Sequence, residues 1–335
     1  MTEDQFPADT TGSDPADTQP ERPEDFPLEL DEAENGEELP LQEGLTPLMR
    51  NGDLRPGTTN ILPDLQERLL RPTPRIVFGH GRDIGLIRSN NEDATLVFAA
   101  TQQNVQDNPD LSVFIVADGA GGHEDGERAS SLACQVVLNT IMENLYVPML
   151  RLNVDPEGAK PVPPVTEVLV EAYERADQQV RKEVPGGGTT LTTVVLIGDL
   201  AHIAHVGDSR AYLIRRGDGE PEFEQLTRDH SVAKRLQEIG QITAAEALHH
   251  PEASRLWKIV GLTDHLEPDI NTRRLPDDCH LVLCSDGLWN MVPEGNIVEI
   301  VLNAPHPQAA VGQLLAAANA SGGVDNIAAV VVRIP

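Results

Sequence analysis

Five short acidic segments contain the residues whose types and spacing could do chemistry. They are Arg88 to Asp93, Val116 to His123, Gly207 to Arg210, Cys284 to Gly287 and Gly322 to Asn326. One Asp-Gly pair alone is ordinary turn chemistry. Asp118 and Asp286, however, each follow a run of apolar residues, so their carboxylates are predicted to lie where buried strands end. Carboxylates buried near one another are costly unless a cation neutralises them.

The types of donor indicate which cation. The acidic segments offer oxygen ligands, and no His or Cys stands at matching spacing, which favours Mg²⁺ or Mn²⁺ over zinc. The three cysteines, Cys134, Cys279 and Cys284, are an odd number without CxxC spacing. They are therefore predicted to be reduced and buried, with no disulfide and no structural zinc.

The elements that must position these carboxylates are short strands and amphipathic helices. Turn residues such as Gly198-Asp199 between apolar runs predict antiparallel hairpins. Strands are predicted at 76–81, 94–100, 112–117, 191–197, 201–206, 211–215, 222–226, 281–284 and 327–334. Helices are predicted at 128–145, 165–183 and 308–320, the last ending at Gly322-Gly323. We expect an α+β fold: a four-layer α-β-β-α sandwich of two antiparallel sheets covered by helices.

Charge and composition divide the chain of 335 residues, whose net charge is −29. Residues 1–45 carry a net charge of −14, about half the total, and are predicted to be a disordered acidic tail. Residues 46–75 are a Pro-rich linker, and 76–335 are the predicted catalytic domain. The acidic balance argues against nucleic-acid or anionic membrane partners. No apolar run is long enough to span a bilayer and no secretory signal is present, so we expect a cytoplasmic protein.

Seven motifs, in their order along the chain, resemble the metal-dependent protein phosphatases of the type 2C class, particularly the bacterial members. The motifs lie at 88–94, 118–130, 188–193, 207–212, 226–231, 283–288 and 323–326, and the resemblance covers 76–335. It implies hydrolysis of phosphoserine and phosphothreonine in proteins at a binuclear Mn²⁺ or Mg²⁺ centre. The implied substrates are phosphoproteins made by a serine/threonine kinase, and the implied enzyme is a monomer.

The resemblance also implies roles for individual residues. Asp118 would bridge both ions, and the carbonyl of Gly119 would bind one of them. Asp286 and Asp325 would hold the other ion. The acidic pair Glu92 and Asp93 would bind metal directly or through water, Asp208 would join Asp286 at a weaker third ion, and Arg88 would grip the substrate phosphate. Arg88, Asp118 and Asp286 are thus the implied catalytic residues.

Some positions depart from the family pattern or permit other interpretations. Animal members place a candidate general acid where this chain has Ala120, and Asn290 replaces an Asp that in some members binds the third ion. His123 is expected to shape its loop. His249-His250 are expected to lie on the surface, in a variable flap at about 231–256 that resembles that of the family. Gly186 to Gly188 is followed by a strand pattern and lacks the lysine of a phosphate loop, which indicates a structural turn. The alternative function is an inactive scaffold that binds phosphoproteins, although such proteins usually lose metal carboxylates.

Overall fold

A computed structural model describes residues 76–100, 110–122, 124–155, 157–158, 161–243, 246, 251–252 and 255–335. The predicted acidic tail and linker lie outside these residues, as do His123, His249 and His250. The predicted bounds of the catalytic domain remain a prediction. Among the described helices, none combines the length and apolar character needed to cross a bilayer.

Eleven strands among the described residues form two antiparallel sheets. They are β1 (Val77–Asp83), β2 (Asp93–Ala100), β3 (Leu111–Ala120), β4 (Gly188–Thr189), β5 (Leu191–Ile197), β6 (Leu200–Val206), β7 (Arg210–Arg215), β8 (Glu222–Gln225), β9 (Asp269–Arg274), β10 (Cys279–Cys284) and β11 (Ile327–Ile334). One sheet has the order β1-β11-β10-β7-β8, and the other has the order β2-β3-β5-β6-β9 with β4 paired to β3. The hairpin predicted at Gly198-Asp199 joins β5 to β6.

Seven α-helices are present in the described part of the chain. They are α1 (Glu124–Ile141), α2 (Val147–Val154), α3 (Val165–Glu183), α4 (Val232–Glu238), α5 (Asp286–Trp289), α6 (Glu294–Asn303) and α7 (Pro307–Ala320). A π-helical segment, Met142–Tyr146, connects α1 to α2. The helix predicted at 128–145 therefore begins four residues earlier and ends its regular α geometry sooner.

The core has three parts, and these define four layers. Alternate residues of β3 face opposite ways: Val113 and Ile115 pack against α1 and α3, whereas Phe114 and Val116 pack between the two sheets. On the other side of the molecule, Val331 belongs to the cluster that packs under α6 and α7. The alternation follows from the two-residue period of a strand that is buried on both faces. The predicted four-layer α-β-β-α sandwich is confirmed.

The three cysteines lie inside these layers. Cys134, Cys279 and Cys284 are all buried and free. Burial raises the pKa of each thiol to about 12, so the thiols stay protonated and behave as small apolar groups. The prediction of reduced, buried cysteines is confirmed.

Candidate metal centre

One cavity of about 220 Å³ lies where strands from both sheets end, and the predicted site residues converge on it. Its lining residues are Arg88, Glu92, Asp118, Gly119, Ala120, Thr190, Asp208, Leu256, Asp286, Asp325 and Asn326. Seven of the eight predicted site residues are therefore in its wall. The eighth, Asp93, is 1% exposed and pairs with Asp118 in the β2–β3 ladder. The structure thus brings all the predicted carboxylates to one place.

The end of β3 fixes Asp118 and Gly119. The backbone N–H of Asp118 donates to Oγ1 of Thr190 at 2.9 Å, and the N–H of Thr190 donates to the carbonyl of Asp118 at 2.8 Å. A Cβ atom at Gly119 would lie 2.2 Å from the carbonyl oxygen of Gly126 in α1, so only glycine permits this approach. The Gly186 to Gly188 turn leads into β4, which pairs with this end of β3, as its interpretation as a structural turn requires.

Asp93 lies beneath the cavity and is only partly satisfied. Its Oδ2 accepts a hydrogen bond of 2.7 Å from the hydroxyl of Ser285. Its Oδ1 is buried and has no hydrogen-bond partner in the described part of the chain. A buried carboxylate oxygen without a partner costs free energy that a cation or an ordered water would recover.

Asp286 and Asp325 approach from two loops that pack closely. A Cβ atom at Gly287 would lie 1.9 Å from the carbonyl oxygen of Asn326, so the glycine after Asp286 is required for this contact. Asn326 also ties the acidic pair to this loop, because its Oδ1 accepts from the N–H of Glu92 at 2.8 Å. The two loops are therefore held together independently of their carboxylates.

Two side chains hold the loop that carries Asp208. The indole N–H of Trp289 donates to the carbonyl of Asp208 at 3.0 Å. The guanidinium of Arg210 lies 3.5 Å from the centre of the Trp289 ring and makes a bidentate ion pair with Asp229. Asn290 replaces an Asp of the family pattern and directly follows α5. Its side-chain amide donates to Oδ2 of Asp286 at 3.3 Å, so this residue supports a carboxylate.

Arg88 is the cation in the cavity wall. Its Nη2 donates to Oδ2 of Asp325 at 2.7 Å, and about half of its side chain is exposed. The hydrogen bond to Asp325 raises the pKa of the guanidinium, which is charged at any physiological pH. The guanidinium group of Arg88 therefore faces solvent at the mouth of the cavity.

Buried carboxyl groups that repel one another dominate the electrostatics of the cavity. Burial, together with the charges of Asp286 and Asp325, raises the pKa of Asp93 to about 8. Burial and the charge of Asp325 raise the pKa of Asp286 to about 6. The pKa values of Asp118 and Asp208 are also raised well above the ordinary range, in each case first by burial and then by neighbouring carboxylates. Without added positive charge Asp93 therefore keeps its proton at neutral pH, whereas Asp286 is only partly protonated there.

These residues fit a hard divalent cation. The donors are all oxygens, one buried carboxylate oxygen has no partner, and the carboxylates repel one another. Among the described residues, no three Asp, Glu, His or Cys side chains already form a ligand group for one ion. Any ion bound here would therefore take water molecules and backbone carbonyls as ligands besides carboxylates, which is usual for Mg²⁺ and Mn²⁺.

Several residues that shape the cavity were not singled out as site residues from the sequence. Thr190, Ser285 and Asn326 lie inside or beside the motifs, but their hydrogen bonds join positions far apart in the chain. Trp289 follows the Asp286 motif directly, and Leu256 belongs to the predicted flap. In the sequence each of these residues is visible only as a neighbour or member of a motif. The sequence does not show which distant residue it contacts.

Comparison with known proteins identifies the family. The protein phosphatase 2C model matches residues 88–303. The serine/threonine phosphatase stp of Listeria monocytogenes is 32% identical over 251 residues, which are 75% of this chain and 93% of that protein. The solved serine/threonine phosphatase of S. agalactiae matches with a TM-score of 0.63 and 28% identity, over 78% of this chain and all of that one.

A second solved structure is relevant to the metal. The catalytic domain of the serine/threonine protein phosphatase PstP, in complex with two manganese ions, matches with a TM-score of 0.59 and 27% identity, over 78% of this chain and 99% of that one. The family model covers well over half of the chain, and the stp relative is matched over nearly its whole length. The chain therefore belongs to the protein phosphatase 2C family and is a protein serine/threonine phosphatase.

Proposed function

We propose that the cavity holds two Mn²⁺ or Mg²⁺ ions and hydrolyses phosphoserine and phosphothreonine in other proteins. The observation that carries this proposal is the convergence of Asp118, Asp286 and Asp325 on one cavity together with Arg88. Asp118 would contribute to both ions, the Gly119 carbonyl would support one of them, and Asp286 and Asp325 would hold the other. Glu92 and Asp93 would complete the site, and Asp208 would join Asp286 at a weaker third position.

When bound, the cations supply the positive charge that activates a water molecule and offsets charge on the phosphoryl oxygens. The protein's own groups position the substrate. Arg88 presents a planar fork to two phosphate oxygens, which orients phosphorus for in-line attack. The same guanidinium pairs with Asp325, so a bound phosphate would compete with that carboxylate for Arg88. Ala120 lines the cavity and offers no proton to the leaving group.

The test is hydrolysis of p-nitrophenyl phosphate and of a phosphothreonine peptide by the purified full chain. We expect turnover with Mn²⁺ or Mg²⁺, loss of turnover with chelator, and recovery when metal is restored. Asp118→Asn and Asp286→Asn should each lower kcat/KM by about a hundredfold or more, since they remove ligands rather than groups that support them. Asp218→Asn, in the turn between β7 and β8, is the matched control and should retain activity.

The result that overturns this assignment is clear. A folded, metal-replete protein without turnover, or undiminished turnover in Asp286→Asn, would contradict it. The first result would favour the inactive scaffold, which the presence of every expected carboxylate disfavours. Calorimetric titration with Mn²⁺ separates the two functions, because a scaffold that lacks the centre shows no tight divalent site.

The partners follow from the reaction. The substrates are phosphoproteins, and phosphoserine and phosphothreonine are products of serine/threonine kinases, so we infer that such a kinase acts upstream. The enzyme is proposed to act as a monomer in the cytoplasm, without a nucleic-acid partner, in keeping with its strong negative charge. Light scattering of the purified chain tests the oligomeric state, and a dimer at micromolar concentration would contradict it.

A further inference from the structure

Four apolar side chains are exposed next to the cavity. Ile84, Leu86, Ile87 and Val324, called here the apolar rim, have relative exposures of 38%, 65%, 70% and 50%. Single exposed apolar residues are normal on protein surfaces, but a contiguous group beside a binding site indicates an interaction surface. The rim lies in the turn after β1 and in the loop before β11.

Hydrogen bonds to the backbone bring the two parts of the rim together. The N–H of Leu86 donates to the carbonyl of Gly323 at 2.7 Å, and a Cβ atom at Gly323 would lie 2.9 Å from Cγ of Leu86. The side chain of Asn326 donates to the carbonyl of Ile84 at 2.9 Å. These contacts join the turn to the loop, so Leu86 lies against the residue that precedes Val324.

The rim is continuous with the phosphate-binding side of the cavity. Ile87 directly precedes Arg88, Val324 directly precedes Asp325, and Arg88 and Asp325 form the 2.7 Å ion pair at the cavity mouth. A phosphate attached to a polypeptide and gripped by Arg88 must bring its neighbouring residues across this surface. An extended chain advances about 3.3 to 3.6 Å per residue, so the residues that reach the rim are the first few on either side of the phosphorylated one.

We propose that the apolar rim binds apolar side chains flanking the phosphorylated residue, and that this phosphatase prefers phosphopeptides with Leu, Ile, Val or Phe there. The inference rests on the proposed function, because it requires Arg88 to hold the substrate phosphate. Removing apolar surface from water on both partners is the driving force. A substrate too small to reach the rim gains nothing from it.

The experiment compares two phosphothreonine peptides that differ only in having leucine or serine on both sides of the phosphothreonine, with p-nitrophenyl phosphate as the small substrate. For the wild-type chain with Mn²⁺, kcat/KM should be about tenfold higher for the leucine peptide. The double variant Leu86→Ser/Ile87→Ser should lower this preference towards one. Its activity on p-nitrophenyl phosphate and its half-saturating Mn²⁺ concentration should stay within about twofold of wild type.

Val154→Ser is the matched control. Val154 is 86% exposed, ends α2 and lies in neither the cavity wall nor the rim. It should leave the peptide preference unchanged. Absence of any preference in wild type, or an undiminished preference in the double variant, overturns the inference while the phosphatase assignment stands. Equal losses on the peptide and the small ester also overturn it. If wild type hydrolyses neither, the proposed function and the inference fall together.

Discussion

Ser285 is the side chain on which the buried carboxylate of Asp93 depends. Its hydroxyl donates to Oδ2 of Asp93 at 2.7 Å and accepts from the N–H of Ala328 at 2.8 Å. In Ser285→Ala both groups lose a partner inside the core. We expect the Mn²⁺ concentration for half-maximal activity to rise about tenfold and the free energy of unfolding to fall by about 1–3 kcal/mol. Activity at saturating Mn²⁺ should change little.

A second buried serine offers the control for this substitution. The hydroxyl of Ser112, in the six-stranded sheet, is buried and has no hydrogen-bond partner among the described residues. Ser112→Ala therefore tests the loss of a buried hydroxyl that supports no carboxylate. Titration of activity with Mn²⁺ gives the answer: equal metal requirements in the two variants would refute the role assigned to Ser285.

At the level of single residues, the sequence predicted the charged site residues better than the polar residues that hydrogen-bond to them. Asp118 and Asp286 follow apolar runs and precede glycines, a pattern that a single sequence displays. Ser285 acts on a carboxylate 192 positions earlier in the chain, and Asn326 on a backbone 234 positions earlier. Such pairs form only when the ends of β2, β10 and β11 come together in the fold. The local sequence around each residue does not show that they do.

Among the elements, the loop from β6 to β7 depends on one histidine. The backbone N–H of His230 donates to the carbonyl of Gly207 at 2.7 Å, and the N–H of Gly207 donates to Nδ1 of His230 at 3.0 Å. Burial lowers the pKa of His230, so the ring is neutral and carries its proton on Nε2. That nitrogen lies 3.1 Å from Oδ2 of Asp269, although their alignment is not that of a good hydrogen bond.

His230 also contacts Trp257, the residue that directly follows the flap. Its carbonyl accepts from the N–H of Trp257 at 3.0 Å, and the centres of the two rings are 5.0 Å apart. Leu256, the residue before Trp257, lines the cavity. The histidine therefore connects the flap to the loop that carries Asp208, and it is a positioning residue rather than one that contacts substrate.

Two substitutions separate the bonds that His230 makes. Asparagine can place an oxygen near the position of Nδ1 and keep the acceptor for Gly207, whereas glutamine reaches towards Asp269 and leaves the Gly207 N–H unpaired. We expect His230→Gln to raise the half-saturating Mn²⁺ concentration about tenfold and His230→Asn to raise it much less. Thermal unfolding should be measured in parallel. If both variants lose stability while their metal requirements stay equal, the histidine only supports the fold.

The elements that the sequence predicted were those with internal apolar periodicity. Strand β9, Asp269–Arg274, was missed because its residues are largely exposed and polar at the edge of its sheet. Helix α1 begins at Glu124 rather than at 128 because its first turn is acidic. Acidic residues stabilise the positive end of the helix dipole without contributing to an apolar stripe. The short helices α2, α4, α5 and α6, of four to ten residues, were also missed, because they have too few turns to show a clear period.

For the whole molecule, the acidic cavity connects metal binding to stability. A carboxyl whose pKa is higher in the folded state than in the unfolded state binds more protons when folded, so its contribution to stability falls as pH rises between the two values. That interval runs from about 4 in the unfolded chain to about 6 for Asp286 and about 8 for Asp93 in the folded protein. The contribution is complete below pH 4 and is lost as pH passes through the folded values.

The metal-free protein should therefore be destabilised by raising the pH from 5 to 8 in chelator, and Asp286→Asn should lose about 1–2 kcal/mol less than wild type. Urea denaturation followed by the fluorescence of Trp257 and Trp289 measures this difference. Saturating Mn²⁺ should reverse the trend for wild type, because the metal binds ionised carboxylates and binds them more tightly as pH rises. The exposed Asp218→Asn serves as the control. Parallel pH dependences for wild type and Asp286→Asn in chelator would show that repulsion among these carboxylates does not limit the stability of the metal-free fold.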